Sequence, residues 1–143
     1  MEKMNRINVL VVDDEEAFAA NLSKLLSRRG YNTVTADNGS AAIRMIEENP
    51  FDVVVLDLRM PGLGGIETLR EMKKKRPETQ VIILTGHGTV DSAMDGIGLG
   101  AFDYAMKPIL IKDLQEKIDQ AYERKRIEEE RLRAFVDGIT EKT

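Results

Sequence analysis

The chain has 143 residues, of which 25 are acidic, 21 basic and none cysteine, for a net charge of −4. That length suits one ordinary domain whose core needs no disulfide or structural metal, and the lack of thiols excludes disulfide scaffolds, zinc–thiolate sites and cysteine nucleophiles. The weak acidity argues against direct binding to nucleic acid or an anionic membrane. No apolar run nears the roughly 20 residues of a membrane helix, and the start of the chain lacks a signal peptide's apolar stretch, so a cytoplasmic location is expected.

The first apolar run is Val9-Leu10-Val11-Val12. It is continuous rather than alternating, as a strand reads when helices cover both faces of its sheet. Phe18, Leu22, Leu25 and Leu26 then recur at i, i+4, i+7 and i+8, and Gly30 offers a helix stop. Thr33 to Ala36 reads as an edge strand. Ala42, Ile43 and Ile46 mark a second helix, closed by Asn49-Pro50. Val53-Val54-Val55-Leu56 is a second continuous run. Ile66 and Leu69 anchor a third helix, closed by Arg76-Pro77. Val81-Ile82-Ile83-Leu84 is a third continuous run, followed by a helical stripe of Val90, Ala93, Met94 and Ile97. Ala101 to Ala105 reads as another edge strand, and Leu114, Ile118 and Ala121 open a fifth helix. Strict strand–helix alternation predicts a doubly wound α/β domain with right-handed crossovers and five parallel strands in the order 2-1-3-4-5, a flavodoxin-like (βα)5 arrangement.

The fifth helix is expected to run on. Residues 123–133 read ERKRIEEERLR, all strong helix formers, and residues 123–143 carry six basic and six acidic side chains. Ile118, Ala121, Leu132, Phe135 and Ile139 fit a coiled-coil spacing, with Lys125 and Glu128 at the intervening seam positions. The tail reads either as a coiled-coil segment or as an exposed, fraying helix end. The expected division is a domain over 1–124 and a helical extension or linker over 125–143. Gly96-Ile97-Gly98-Leu99-Gly100 resembles a dinucleotide loop but ends a helix instead of opening one, so it fails the context test. Each glycine weakens a helix by about 1 kcal/mol relative to alanine. A weak fourth helix would suit either a switch surface or a plain terminator.

In an open parallel sheet, ligands bind beyond the carboxyl ends of the strands. Asp13-Asp14-Glu15-Glu16 follow the first run, Asp57 the second, Thr85 the third, and Lys107 the last strand. Carboxylates gathered this closely repel one another, and a hard divalent cation with oxygen ligands, Mg²⁺ foremost, relieves that. Such a site suits phosphoryl transfer, which asks mainly for positioning and for neutralised charge on the moving oxygens. A carboxylate can act as the nucleophile, forming an acyl phosphate. Apart from His87, no histidine or cysteine offers an alternative.

The stretches VLVVDDEEAF, VVVLDLRMPGLGGIETL, the pair Thr85-Gly86 after VIIL, and FDYAMKP together resemble response-regulator receiver domains over residues 6–124. The resemblance implies that Asp57 is the phosphoacceptor, Asp14 a direct Mg²⁺ ligand, Asp13 the holder of metal-bound water, and the Arg59 backbone carbonyl a further ligand. It implies that Thr85 is the switch hydroxyl and Lys107 the phosphate-binding lysine. Tyr104 matches the aromatic whose rotation reports on the site, though an edge-strand aromatic also reads as packing. His87 and Arg59 either border the phosphate or, for His87, stand in an exposed loop. The Lys107-Pro108 bond matches one usually cis in the family.

The implied partners are a sensor histidine kinase or phosphotransfer protein, and a homodimer through the fourth helix, fifth strand and fifth helix or through the C-terminal helix. The helix4–strand5–helix5 face is the expected output surface. The TGHGTVDSAM stretch and long last helix resemble regulators that continue into an ATPase domain, so the chain reads as a stand-alone switch or as part of a longer regulator. The competing reading is a scaffold that binds partners without phosphorylation. A haloacid-dehalogenase-type phosphatase would want a second Asp where Arg59 stands, and a flavin carrier would want a phosphate loop where the acidic cluster stands.

Overall fold

A computed structural model describes residues 6–60, 62–86 and 90–142, excluding the side chains of 90–93 and 140–142. Its elements alternate throughout: β1 (Asn8–Val12), α1 (Glu16–Arg28), β2 (Asn32–Ala36), α2 (Gly39–Glu48), β3 (Val53–Leu56), α3 (Gly65–Lys75), β4 (Gln80–Thr85), α4 (Val90–Gly98), β5 (Asp103–Met106) and α5 (Ile111–Lys142). The strands pair in parallel in the order β2-β1-β3-β4-β5.

The continuous apolar runs form the three inner strands because both faces of each are buried. Leu10, Val12, Val54, Leu56, Val81 and Ile83 enter a core that also holds Ala42, Ile46, Leu69 and Met72 from α2 and α3. Their alternates, Val9, Val11, Val53, Val55, Ile82 and Leu84, enter a second core with Leu22 and Leu26 of α1 and Leu114, Ile118 and Ala121 of α5. A polar residue at any of these positions would be stranded on one face or the other. The two polar-tolerant strands, β2 and β5, take the edges.

Local signals set the element ends. Gly30 lies at φ 98° just past α1, a left-handed position that favours glycine. The Asn38 side chain accepts a hydrogen bond from the Ala41 backbone N–H at 2.8 Å and so caps α2.

Three expectations shift. The fifth strand begins at Asp103, because the Ala101 N–H bonds back to the Gly96 carbonyl at 2.9 Å and closes α4. The apolar stripe proposed for α4 does not face the core at its described positions: Met94 is 57% exposed and Ile97 lies at the surface. Gly96 faces inward instead, where an added Cβ would meet Ile83, so α4 approaches β4 through its bare backbone. The side chains of Val90 and Ala93 lie outside the described ones.

The third shift concerns α5. Leu114, Ile118, Ala121, Lys125, Glu128, Leu132, Phe135 and Ile139 follow one another at alternating steps of four and three. The first three are fully buried in the domain. Lys125 then meets Asp52 at 3.1 Å, just before β3, and Glu128 accepts from Gln80 at 3.3 Å, the first residue of β4. The two polar seam residues therefore meet the polar underside of the sheet. Leu132, Phe135 and Ile139 pass beyond the domain and are exposed. No described helix is long and apolar enough to cross a membrane.

Candidate functional site

The last carbonyls of β1 and β4 each accept a backbone hydrogen bond that brings a functional residue to the same edge. Asp57 N–H donates to the Val12 carbonyl at 3.0 Å, setting Asp57 beside the start of the acidic run, and Lys107 N–H donates to the Thr85 carbonyl at 2.8 Å. Carboxylate oxygens of Asp13, Asp14 and Asp57 all lie within 4.8 Å of one another. Asp13 and Asp57 are buried, at 2% and 5% exposure, while Asp14 is exposed.

Lys107 ties the site together. Its Nζ donates to Asp13 Oδ2 at 2.7 Å and Glu15 Oε1 at 3.0 Å, and stands 3.6 Å from Asp57 Oδ2. Burial alone would lower its pKa, but the hydrogen bonds to Asp13 and Glu15 and the charges of Asp57 and Asp13 outweigh that and hold the ammonium above the ordinary lysine value. Burial pushes the Asp57 carboxyl up; the Arg59 backbone N–H, which donates to Asp57 Oδ1 at 3.1 Å, opposes this, Asp13 adds to it, and Lys107 opposes it again. A buried carboxylate with raised affinity for a proton is a site short of positive charge. Three oxygen donors in reach of one another, one of them open to solvent, fit a hard divalent cation.

An open cleft of about 400 Å³ lies over these groups, lined by Asp14, Glu15, Asp57, Arg59, Gly86 and Lys107. The Arg59 side chain is exposed at its rim. Thr85 is fully buried, and its Oγ1 has no hydrogen-bond partner among the described residues. Such a hydroxyl forgoes its interactions with water without replacement. Tyr104 is half-buried and packs against the first core cluster. The Lys107-Pro108 peptide is cis. His87 and Pro61 lie outside the described residues.

The loop after Asp57 is held from behind. Gly65 N–H donates to the Leu58 carbonyl at 3.3 Å, and an added Cβ at Gly65 would run into the Leu58 backbone. Thr68 Oγ1 donates to the Gly64 carbonyl at 2.8 Å. This anchors the segment that carries Leu58 and Arg59.

Sequence reasoning gave no role to two residues that touch Lys107. Glu15 was one of an acidic run, and Phe18 was a stripe residue of α1. The structure sets the Lys107 ammonium 4.1 Å from the centre of the Phe18 ring. The available signal was their spacing: residues three apart on a helix share a face, and the first turn of α1 lies over the strand ends.

The family model described as the response regulator receiver domain matches residues 9–119. Among curated proteins, the chain is similar to the transcriptional regulatory protein ZraR of Klebsiella oxytoca, 37% identical over 124 residues, which cover 87% of this chain and 28% of that protein. It is likewise similar to the regulatory protein AtoC of Escherichia coli (strain K12), 36% identical over 121 residues, covering 85% and 26%. The chain thus spans about a quarter of the length of these relatives. Among solved structures, a response regulator receiver domain protein from Clostridium thermocellum superposes with a TM-score of 0.81 at 41% identity, covering 85% of this chain and 98% of that one. The receiver domain of NtrX from Brucella abortus gives a TM-score of 0.77 at 34% identity, covering 80% and 98%.

Proposed function

Because the chain belongs to the response regulator receiver domain family, we propose that it is a signalling switch in which Asp57 accepts a phosphoryl group from a histidine kinase or phosphotransfer protein. The observation that carries this reading is the placing of Asp57: buried, 3.6 Å from the Lys107 ammonium, and with a carboxylate oxygen within 4.8 Å of oxygens of Asp13 and Asp14.

An Asp57 carboxylate oxygen attacks the phosphorus of a phosphohistidine. The new P–O bond forms as the P–N bond breaks, and the nitrogen leaves with the bonding pair and takes up a proton. Asp13, Asp14, Asp57 and the Arg59 backbone carbonyl would hold Mg²⁺, which would supply neutralising charge for the phosphoryl oxygens. Lys107 supplies the protein's own positive charge, and the Thr85 hydroxyl, without a partner among the described residues, donates to a phosphoryl oxygen. Pairing of Thr85 with the phosphoryl group biases the α4–β5–α5 face, where Met94, Met106 and Leu110 are exposed, and Tyr104 moves with it. Arg59, exposed at the rim of the cleft, borders the phosphate.

The chain catalyses only its own phosphorylation and dephosphorylation, and residues 125–143 form a helical extension of the domain. By analogy with the named transcriptional regulators, the output is control of transcription through a partner or a further segment. A second copy of this chain pairs along Leu132, Phe135 and Ile139, whose heptad spacing is exposed. Incubation with phosphoramidate and Mg²⁺ is expected to add one phosphoryl mass to the wild type and none to Asp57→Asn. Uptake by the variant would show that another residue is the acceptor, and partner binding unchanged in Asp57→Ala would favour a phosphorylation-independent scaffold.

A further inference from the structure

We propose that Phe18 is a positioning residue for Lys107, its ring face keeping the ammonium within reach of Asp57 before the phosphoryl group arrives. The inference rests on the phosphoacceptor reading of Asp57.

Lysine ends in a compact charge on a flexible four-carbon stem, so its position is set by what surrounds the tip. The base of this stem is fixed by the Lys107 N–H bond to Thr85, and its middle lies beside Gly86, where an added Cβ would stand 3.7 Å from Lys107 Cδ. At the tip are Asp13, Glu15, Asp57 and the Phe18 ring, at 2.7, 3.0, 3.6 and 4.1 Å. Lys107 is only 12% exposed in this cage.

The four contacts differ in one respect. Asp13 and Asp57 belong to the carboxylate group that fits a divalent cation, so a bound cation draws on the same negative charge that now holds Lys107. Glu15 is 66% exposed, so water competes for its bond to the ammonium. The attraction between the ammonium and the face of the Phe18 ring uses no carboxylate and is not shared with a metal. The ring is itself steadied from behind, because Phe18 packs against the second core cluster. An ammonium already in place needs no reorganisation as charge develops on the phosphoryl oxygens.

Phe18→Leu keeps an apolar, helix-forming side chain and removes the ring face, whereas Phe18→Tyr keeps it. Two measurements test the proposal. In Mg²⁺-free protein, the ε-methylene protons of Lys107 should be shifted upfield by the ring in the wild type and Phe18→Tyr, and should lose that shift in Phe18→Leu. The rate of phosphoryl uptake from phosphoramidate with Mg²⁺ should fall about three- to tenfold in Phe18→Leu. The Mg²⁺ dissociation constant should stay within about twofold of the wild type, since the ring does not touch the metal's ligands. Phe18→Tyr should restore the uptake rate. A Lys107 shift unchanged in Phe18→Leu, or an unchanged uptake rate, would overturn the proposal. If the wild type takes up no phosphoryl group, the phosphoacceptor reading fails instead, and the Lys107 shift alone decides whether the ring holds the ammonium.

Discussion

The Lys107 ammonium is bonded to Asp13 at 2.7 Å but stands 3.6 Å from Asp57. The lysine is therefore shared unequally: Asp13 takes the direct hydrogen bond, and Asp57 is left with a longer-range attraction that does not offset its burial.

That imbalance predicts the effect of Asp57→Asn on stability. Burial is the main reason the Asp57 pKa is raised, so the folded chain binds this proton more tightly than the unfolded chain does. The stability from Asp57 is full below the ordinary aspartate range and is lost as pH rises through its folded value. At neutral pH without metal, Asp57→Asn should melt above the wild type. The two should converge in acid. Added Mg²⁺ should raise the melting temperature of the wild type more than that of the variant. A lower melting temperature for the metal-free variant would contradict this account of Asp57.

The Thr85 hydroxyl is buried without a described partner, so replacing it by an isosteric methyl removes a desolvation cost. Thr85→Val should match the wild type or exceed it by up to about 1 kcal/mol in urea unfolding. It should still take up a phosphoryl group at Asp57. Phosphorylation-dependent changes in the amide spectra of α4 and β5 should be lost. Retention of those changes would remove Thr85 from the switch.

At Gly65, an added Cβ would stand 2.8 Å from both the carbonyl carbon and oxygen of Leu58, which are backbone atoms with nowhere to move. Gly65→Ala should cost about 2 kcal/mol despite alanine's better helix propensity. Because Leu58 lies between Asp57 and Arg59, the same change should slow phosphoryl uptake. Equilibrium unfolding and intact-mass kinetics measure the two effects, and a stabilised variant would refute the close-packing account.

Lys125 joins Asp52 at 3.1 Å and Glu129 at 2.9 Å, largely shielded from solvent. Burial alone would lower its pKa, but the bonds to Glu129 and Asp52 overcome that and raise it. Its contribution to stability is then full below the ordinary lysine value and is lost as pH rises through the higher folded value. Lys125→Met should reduce stability by about 1–2 kcal/mol at neutral pH, with the difference closing in strong alkali. Amide hydrogen exchange along residues 125–139 should speed up, because the helix loses its attachment to the sheet. Unchanged exchange there would show that the extension does not depend on this contact.

The sequence by itself determined the strands, their helices and the residues at the strand ends. An apolar run buried on both faces admits few other readings; Asp13-Asp14, Asp57 and Thr85 close such runs and Lys107 follows the last, edge strand, so their positions are local properties of the chain. Tertiary structure decided what depends on distances between segments far apart in sequence. It set the bare backbone of Gly96 rather than the side chains of Met94 and Ile97 against the core, because the gap between α4 and β4 is fixed by both elements together. It gave Lys125 and Glu128 their partners, Asp52 and Gln80, which makes them an attachment to the sheet where the sequence showed only a break in an apolar seam. It also brought Glu15 and Phe18 to Lys107, some 90 residues away along the chain. The site began as five residues at strand ends. The fold adds the first turn of α1 to it, since a helix packed over the carboxyl edge of the sheet presents its side chains to whatever that edge holds.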